Sequence, residues 1–336
     1  MQPLKLSVVV PCFNEEEVLY ELHRRVNAVC KLCVENSYEL IFVNDGSKDN
    51  TWNIMQELSL KYDHVVSINL SRNFGHQIAL SAGLQMSRGD RVFILDADLQ
   101  DPPELLPKMM AHMDKGFDVI FGQRIKREGE SFFKKQSAYF FYRILNKMTD
   151  VDIPNDTGDF RLMNRRTIDI LKKMPEHYRF IRGLVSWIGL RQEGFPYERA
   201  SRLAGTTKYP LSKMIRFAFD AITGFSIRPL RMASYLGILF FMLTLFLIIY
   251  VLINYFLGHN IKGWTSLAII VLAMGSTQMI ILGTFGEYLG RLYIESKGRP
   301  LFIIQDIVSS MRFNHQFSYE EKETIIDEKG GQYPIT

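Results

Sequence analysis

Three cysteines among 336 residues are too few for a disulfide framework. Cys30 and Cys33 have the spacing of a redox or zinc pair, but Val18, Leu22, Val26, Val29, Cys30 and Cys33 fall on one helical stripe. Both therefore read as small core residues. A formal net charge of +4 is too small to argue for a nucleic-acid partner. No Gly-x-Gly-x-x-Gly follows the first apolar run, and no Gly-x-x-x-x-Gly-Lys-Ser/Thr occurs, so dinucleotide and P-loop sites lose their usual anchors. The amino terminus begins with an apolar strand pattern rather than a charged-then-apolar leader. No signal peptide is expected, and the chain reads as facing the cytosol.

Apolar runs at Leu6 to Val10, Glu39 to Val43, Val65 to Leu70, Arg91 to Leu95 and Asp118 to Phe121 read as strands. Amphipathic stretches at Glu16 to Glu35, Asn50 to Tyr62, Gly75 to Met86 and Glu104 to Lys115 lie between them. Repeated β-α-β units with right-handed crossovers give a mostly parallel sheet with helices on both faces. The expected class is α/β, with a cytosolic domain over residues 1–227.

Lys and Arg gather around residues 124 to 147 and 208 to 231. Basic and aromatic residues interleave at about 132–149 and 210–225, as in helices lying in a lipid headgroup region. Two long apolar runs follow, Met232 to Leu257 and Trp264 to about 286, within a segment 228–290. Each is long enough for a transmembrane helix. Arg216, Arg228 and Arg231 precede the hairpin and Arg291, Lys297 and Arg299 follow it, so the positive-inside bias puts both termini in the cytosol. The expectation is a multi-pass protein of the cytoplasmic (inner) membrane, with residues 291–336 a cytosolic segment ending in a flexible tail. Gly286 and Gly290 have small-residue spacing that permits close helix contact, so a homo-oligomer, a tetramer included, is expected.

Chemistry-bearing residues cluster just after the strands. Pro11, Phe13 and Glu15 follow the first, Asp45 the second, and Asp96-Ala97-Asp98-Leu99-Gln100-Asp101 the fourth. Strand ends adjacent in a parallel sheet share one crevice. There Phe13 can flank a base, Asp45 can accept from its N–H, and Glu15 can hold a ribose hydroxyl. If the chain stays extended past the fourth strand, Asp98 and Gln100 point to one face and can share a hard cation, Mg²⁺ or Mn²⁺, with Asp96 assisting directly or through water.

Through Val8-Val9-Val10-Pro11-Cys12-Phe13-Asn14-Glu15-Glu16, Asn44-Asp45-Gly46-Ser47 and Asp96-Ala97-Asp98-Leu99-Gln100, the sequence resembles the family 2 glycosyltransferases of the GT-A fold. Ser71-Arg72-Asn73-Phe74-Gly75, Gly158-Asp159-Phe160-Arg161-Leu162, Arg179-Phe180-Ile181-Arg182-Gly183 and Gly205-Thr206-Thr207-Lys208-Tyr209 narrow it. They are similar to the polyprenyl-phosphate glycosyltransferases, which include bactoprenol glucosyltransferases and dolichol-phosphate mannose synthases. Asn44 departs from the family's Asp, and Thr206-Thr207 stands where Ser commonly precedes Lys-Tyr.

The resemblance implies inverting transfer of a sugar from a nucleotide diphosphate, UDP-glucose first among donors, to a polyprenyl phosphate such as undecaprenyl phosphate. It makes Asp159 the family's catalytic base. A phosphate monoester is already largely dianionic at neutral pH, its second pKa being about 6, so Asp159 is equally a candidate for ordering the acceptor. Two anions in one crevice call for cations besides the metal. Arg124, Lys208 and Arg161 are the candidates for phosphate, with Lys134 and Arg143 further out. A processive polysaccharide synthase is the competing enzyme reading, although the Gln-x-x-Arg-Trp segment is missing. A non-catalytic nucleotide-sugar-binding scaffold is the other.

Overall fold

The computed structural model describes residues 4–124, 154, 157–198, 226, 228–257 and 263–310. β1 (Leu6–Cys12), β2 (Tyr38–Asn44), β3 (Val65–Leu70) and β4 (Arg91–Ile94) form on the apolar runs, and β1 and β2 are buried along their whole length. Strands apolar on both faces belong in a sheet covered by helices on both sides. The crossovers are α1 (Leu19–Val34), α2 (Thr51–Lys61) and α3 (His76–Met86); α4 (Leu106–Met113) follows the acidic loop after β4. β1 pairs parallel with both β2 and β4, and β2 parallel with β3. The chain therefore reverses its direction of winding between β1 and β4, which opens a crevice at their carboxyl ends.

β5 (Val119–Arg124), β6 (Thr157–Asn164), α5 (Arg165–Lys173), α6 (Ile181–Ile188) and β7 (Gln192–Tyr197) extend the domain. β6 is inserted antiparallel between β4 and β5, and β7 runs parallel to β5. The sequence reading placed no strand over β6 or β7. Asp159 and Arg161 break the apolar pattern of β6, yet both are buried, because they face the crevice rather than solvent.

α7 (Arg228–Phe256) and α8 (Trp264–Ser296) pack on each other, and the chain then returns as β8 (Ile304–Ser309), antiparallel to β3. Within the expected segment 291–336, residues 304–309, a strand that the sequence reading did not place, thus complete the sheet. Its order among the described residues is β7-β5-β6-β4-β1-β2-β3-β8. The helices, of 29 and 33 residues, both extend beyond the expected spans 232–257 and 264–286 at one end. Over the described side chains alone, however, no helix is long and apolar enough to cross a membrane. Side chains at 241, 244, 247–248, 251–252 and 254–255, and at 264–266, 268–269 and 272, lie outside that description. So do the expected interfacial helices at 132–149 and 210–225, Lys134, Arg143, Lys208 and everything after 310.

The two faces of the sheet bury separate cores. One packs Phe42, Phe93 and Phe160 beneath α1, α2 and α4; the other packs Val9, Ile41, Ile94 and Met163 beneath α3, α5 and α6. Each fully buried side chain of this size is worth roughly 1.5–3 kcal/mol of transfer free energy. Cys12 and Cys30 are buried in the first core with Cys33 packed against it, and all three are free thiols. The cysteine reading therefore holds.

Candidate active site

The loops after β1 and β2 are laced together before any ligand enters. Ser47 Oγ accepts from the Asn14 amide at 3.0 Å, Asn14 Oδ1 from the Lys48 amide at 2.8 Å, and Thr51 Oγ1 from the Glu15 amide at 2.8 Å. Phe13 is left 41% exposed at the mouth. Pro11 is buried within β1, and the Glu15 side chain is half-buried. Asp45 is buried and turned toward the loop before α3, accepting from the Phe74 amide at 2.7 Å and the Gly75 amide at 3.0 Å. Burial raises its pKa, and those amides oppose the rise. Gly46 makes this approach possible. A Cβ there would meet the Asn73 nitrogen at 2.6 Å, and its φ of +67° is a left-handed conformation that glycine adopts freely. Asn44, the departure from the family pattern, donates to Asn69 Oδ1 at 2.8 Å and accepts from the Ser47 amide at 3.1 Å. An amide serves both bonds, whereas a carboxylate could not donate.

The acidic loop does not stay extended. Leu99 has φ +56°, a costly conformation for a bulky residue and one that collects at functional sites. Asp98 Oδ1 accepts from the Gln100 amide at 3.1 Å, closing the turn. The premise that placed Asp98 and Gln100 on one face of an extended chain is therefore corrected. Exposure still alternates, with Asp96, Asp98 and Gln100 half-buried while Ala97, Leu99 and Asp101 are buried. Leu99, held in the first core, is the peg about which the acidic side chains turn outward.

Ile94 of β4 lies opposite Arg161 of β6; continuing that antiparallel register by two residues brings Asp96 opposite Asp159. His76, the first residue of α3, sits between them. Its Nε2 lies 3.2 Å from Asp159 Oδ2 and 3.5 Å from Asp96 Oδ1. Gln77 Nε2 donates to Asp159 Oδ2 at 2.7 Å, and Arg182 Nε donates to Oδ1 at 3.1 Å. Burial alone would raise the Asp159 pKa, but Arg182, His76 and Arg161 outweigh it and hold the carboxylate well below the usual range. Burial likewise opposes charge on His76, yet the two carboxylates raise it to about 9. Burial pushes Asp96 up to about 6, with His76 opposing and Asp159, Asp101 and Asp98 adding to the rise.

Asp96 Oδ1 is buried without a hydrogen bond, since the His76 approach at 3.5 Å is an ion-pair distance only. A buried carboxylate oxygen in that condition is costly alone and suited to a cation. Among the described residues, no three His, Cys, Asp or Glu side chains form a ready metal cage. The oxygens that the loop offers, the Asp96 and Asp98 carboxylates and the Gln100 amide, are of the kind that would suit a hard ion keeping water or taking ligand phosphates.

The candidate phosphate ligands are more enclosed than expected. Arg124 Nε donates to Tyr197 Oη at 3.3 Å, its Nη2 lies 3.7 Å from Asp101 Oδ2, and Tyr197 donates to Asp101 Oδ1. Arg124 therefore braces the far end of the acidic loop. Arg161 is buried beneath Asp159 with one bond to the Gly158 carbonyl at 3.0 Å and an Nε without a partner. Burial lowers its pKa to about 10, so it keeps its charge at neutral pH. His76, Gln77 and Arg182 were not anticipated. The available signal was the position of His76-Gln77 after β3, a fourth strand end opening on the same crevice.

An open α/β sheet with carboxylates gathered where its winding reverses has the crevice in which sheets of this class bind ligands. The chain belongs to the family described as glycosyl transferase family 2, whose model matches residues 7–171. It is 49% identical over 305 residues to the "Uncharacterized glycosyltransferase YkcC" of Bacillus subtilis (strain 168), covering 90% of this chain and 94% of that protein. It is 38% identical over 307 residues to the "Prophage bactoprenol glucosyl transferase homolog" of Escherichia coli (strain K12), covering 90% and 99%. The bactoprenol glucosyl transferase of Shigella phage SfV matches equally, at 38% identity with 90% and 99% covered. Among solved structures, glucosyl-3-phosphoglycerate synthase from Mycobacterium tuberculosis, in complex with Mn²⁺, UDP-glucose and phosphoglyceric acid, has a TM-score of 0.43 at 18% identity, covering 65% of this chain and 77% of that one.

Proposed function

We propose that this glycosyltransferase moves a hexose, glucose first, from a UDP-sugar to the phosphate of a polyprenyl lipid at the cytosolic membrane face, with inversion. The observation that carries the reading is the pairing of two carboxylates of opposite character across His76. Asp96, raised and short of a hydrogen bond, belongs to the donor side; Asp159, held ionised by Arg182, belongs to the acceptor side. The bactoprenol glucosyl transferases matched over nearly their whole length support the choice of acceptor.

Phe13, Glu15, Asp45 and Pro11 would line the nucleotide end. Asp98, Gln100 and Asp96 would hold Mg²⁺ or Mn²⁺, which when bound neutralises charge on the departing diphosphate. The acceptor phosphate is largely dianionic above about pH 6. It needs orientation more than deprotonation, so Asp159 acts by ordering the acceptor and, with Arg161 beneath it, by fixing the local field. Lys208 is retained as a phosphate ligand.

α7 and α8 are proposed as the membrane hairpin. At ~1.5 Å per residue they run about 43 and 50 Å, against a hydrocarbon core of roughly 30 Å. Leu239, Phe246, Ile249, Met279, Leu282 and Leu289 stand exposed on them. Arg228 and Arg231 at one helix's start and Arg291, Lys297 and Arg299 at the other's end mark the cytosolic side. Anchoring brings the crevice to an acceptor that never leaves the bilayer, and a homo-oligomer remains part of the proposal.

Full-length protein in detergent, given UDP-glucose, Mn²⁺ and a short polyprenyl phosphate, should form a glycolipid. Asp98→Ala should abolish it. Release of free glucose without glycolipid would refute the acceptor, and undiminished turnover by Asp98→Ala would refute the metal assignment.

A further inference from the structure

We propose that Glu295, at the end of α8, is a positioning residue for the reaction centre. It anchors the strap His177–Arg182, whose far end grips Asp159. The inference rests on the reading of Asp159 as the acceptor-side group.

The strap's near end is fixed to α8 by two contacts. Glu295 Oε1 accepts from the His177 amide at 2.8 Å, and its Oε2 lies 2.9 Å from His177 Nδ1. His177 Nε2 lies 2.6 Å from the Arg299 carbonyl oxygen, which can only accept. Both ring nitrogens therefore face acceptors, and an imidazolium satisfies both at once; the same contacts raise the His177 pKa. Beside it, the Arg291 guanidinium lies 4.1 Å over the Tyr178 ring.

The middle and far end are fixed in turn. Arg179 donates to the Leu171 and Met174 carbonyls at 3.0 and 2.8 Å, closing the end of α5. The Ile181 amide donates to Gln77 Oε1 at 2.9 Å, which forces the Gln77 amide nitrogen toward Asp159. Arg182 reaches Asp159 directly and the Thr157 carbonyl at 2.9 Å. Residues 174–180 form neither helix nor strand, and Ile181 and Arg182 open α6, so side chains rather than a backbone ladder hold the strap from His177 up to the start of that helix. A segment held this way loses its placement when one end is released. Two of the three groups that orient Asp159 thus depend on where the end of α8 sits.

The coupling gives the hairpin a part in the chemistry besides anchorage, because the element that meets the lipid also sets the position of the group that orders the lipid's phosphate. A displacement of about 1 Å at a reacting centre can cost on the order of 10²-fold.

The test uses the full chain in detergent with UDP-glucose, Mn²⁺ and polyprenyl phosphate, alongside hydrogen exchange of peptides over 177–183. Glu295→Ala should lower kcat about tenfold, leave the donor KM within about twofold, and speed exchange across the strap. Glu295→Gln keeps an acceptor for the His177 amide and should fall between Glu295→Ala and wild type. Unchanged kcat and protection in Glu295→Ala overturn the proposal. So does a fall in Tm with turnover per folded molecule intact, the sign of a simple tether. Asp159→Asn, measured in parallel, separates the two readings. Near-wild-type turnover there refutes the role of Asp159 and the coupling with it; loss there with Glu295→Ala fully active refutes the coupling alone.

Discussion

Gln77 bridges two elements with a fixed polarity, donating to Asp159 at 2.7 Å while accepting from the Ile181 amide at 2.9 Å. Neither end of the side chain is spare, so this residue at the start of α3 translates the position of α6 into the orientation of a buried carboxylate. Gln77→Leu keeps the bulk and removes both bonds. It leaves the Ile181 amide without its partner and Asp159 on two supports instead of three. The expected result is a kcat reduced by about 10-fold or more, with donor affinity little changed. Steady-state kinetics at varied UDP-sugar would show it, and a change confined to donor KM would contradict this placement.

The centre of the fold is legible because its strands are continuous apolar runs, and burial on both faces leaves no other use for them. β6 is illegible for the opposite reason. Thr157-Gly158-Asp159-Phe160-Arg161 reads as polar loop, and only the pairing with β4 shows that its charges face inward. β8 is short and pairs with β3 across more than two hundred residues, a separation that periodicity cannot bridge. In the site, Asp96 and Asp98 are visible as carboxylates directly after an apolar strand, whereas Asp159 is reached only through the family resemblance. His76, Gln77 and Arg182 are ordinary helix-end residues in sequence and acquire meaning only through the carboxylates they touch.

At the opposite end of the sheet an ion pair with a buried carboxylate ties β1 and β2 to the loop before β4. Glu39 accepts from Ser7 Oγ at 2.6 Å, from the Arg88 amide at 2.8 Å, and from the Arg88 guanidinium at 2.6 and 3.0 Å. Its side chain is 1% exposed. Removing Glu39 takes the acceptor from the buried Ser7 hydroxyl, the Arg88 amide and the Arg88 guanidinium together. Glu39→Ala is expected to cost about 3–5 kcal/mol of stability. Turnover per folded molecule should not change, since none of these groups reaches the crevice. Thermal unfolding together with activity normalised to folded protein checks both halves.

The behaviour in mild acid should come in part from two histidines remote from the site. His23 and His64 stack with ring centroids 5.7 Å apart, and each keeps a buried Nε2 without a hydrogen bond. Burial first, then the neighbouring cations, lowers both to about 4, against about 6.5 in an unfolded chain. The sign follows from which state binds more protons. Between about pH 6.5 and pH 4 the unfolded chain takes up protons that the folded one refuses, so stability falls as pH falls through that window and is unaffected by these groups above it. Carboxylates also lose stabilising interactions in acid, so the diagnostic is the difference from a variant. In His23→Leu with His64→Phe, the fall in Tm between about pH 6.5 and pH 4.5 should be smaller by several degrees than in the wild-type chain. Parallel Tm curves for the two proteins would show that these imidazoles take up protons as readily in the folded state as in the unfolded one, and that the acid sensitivity lies elsewhere.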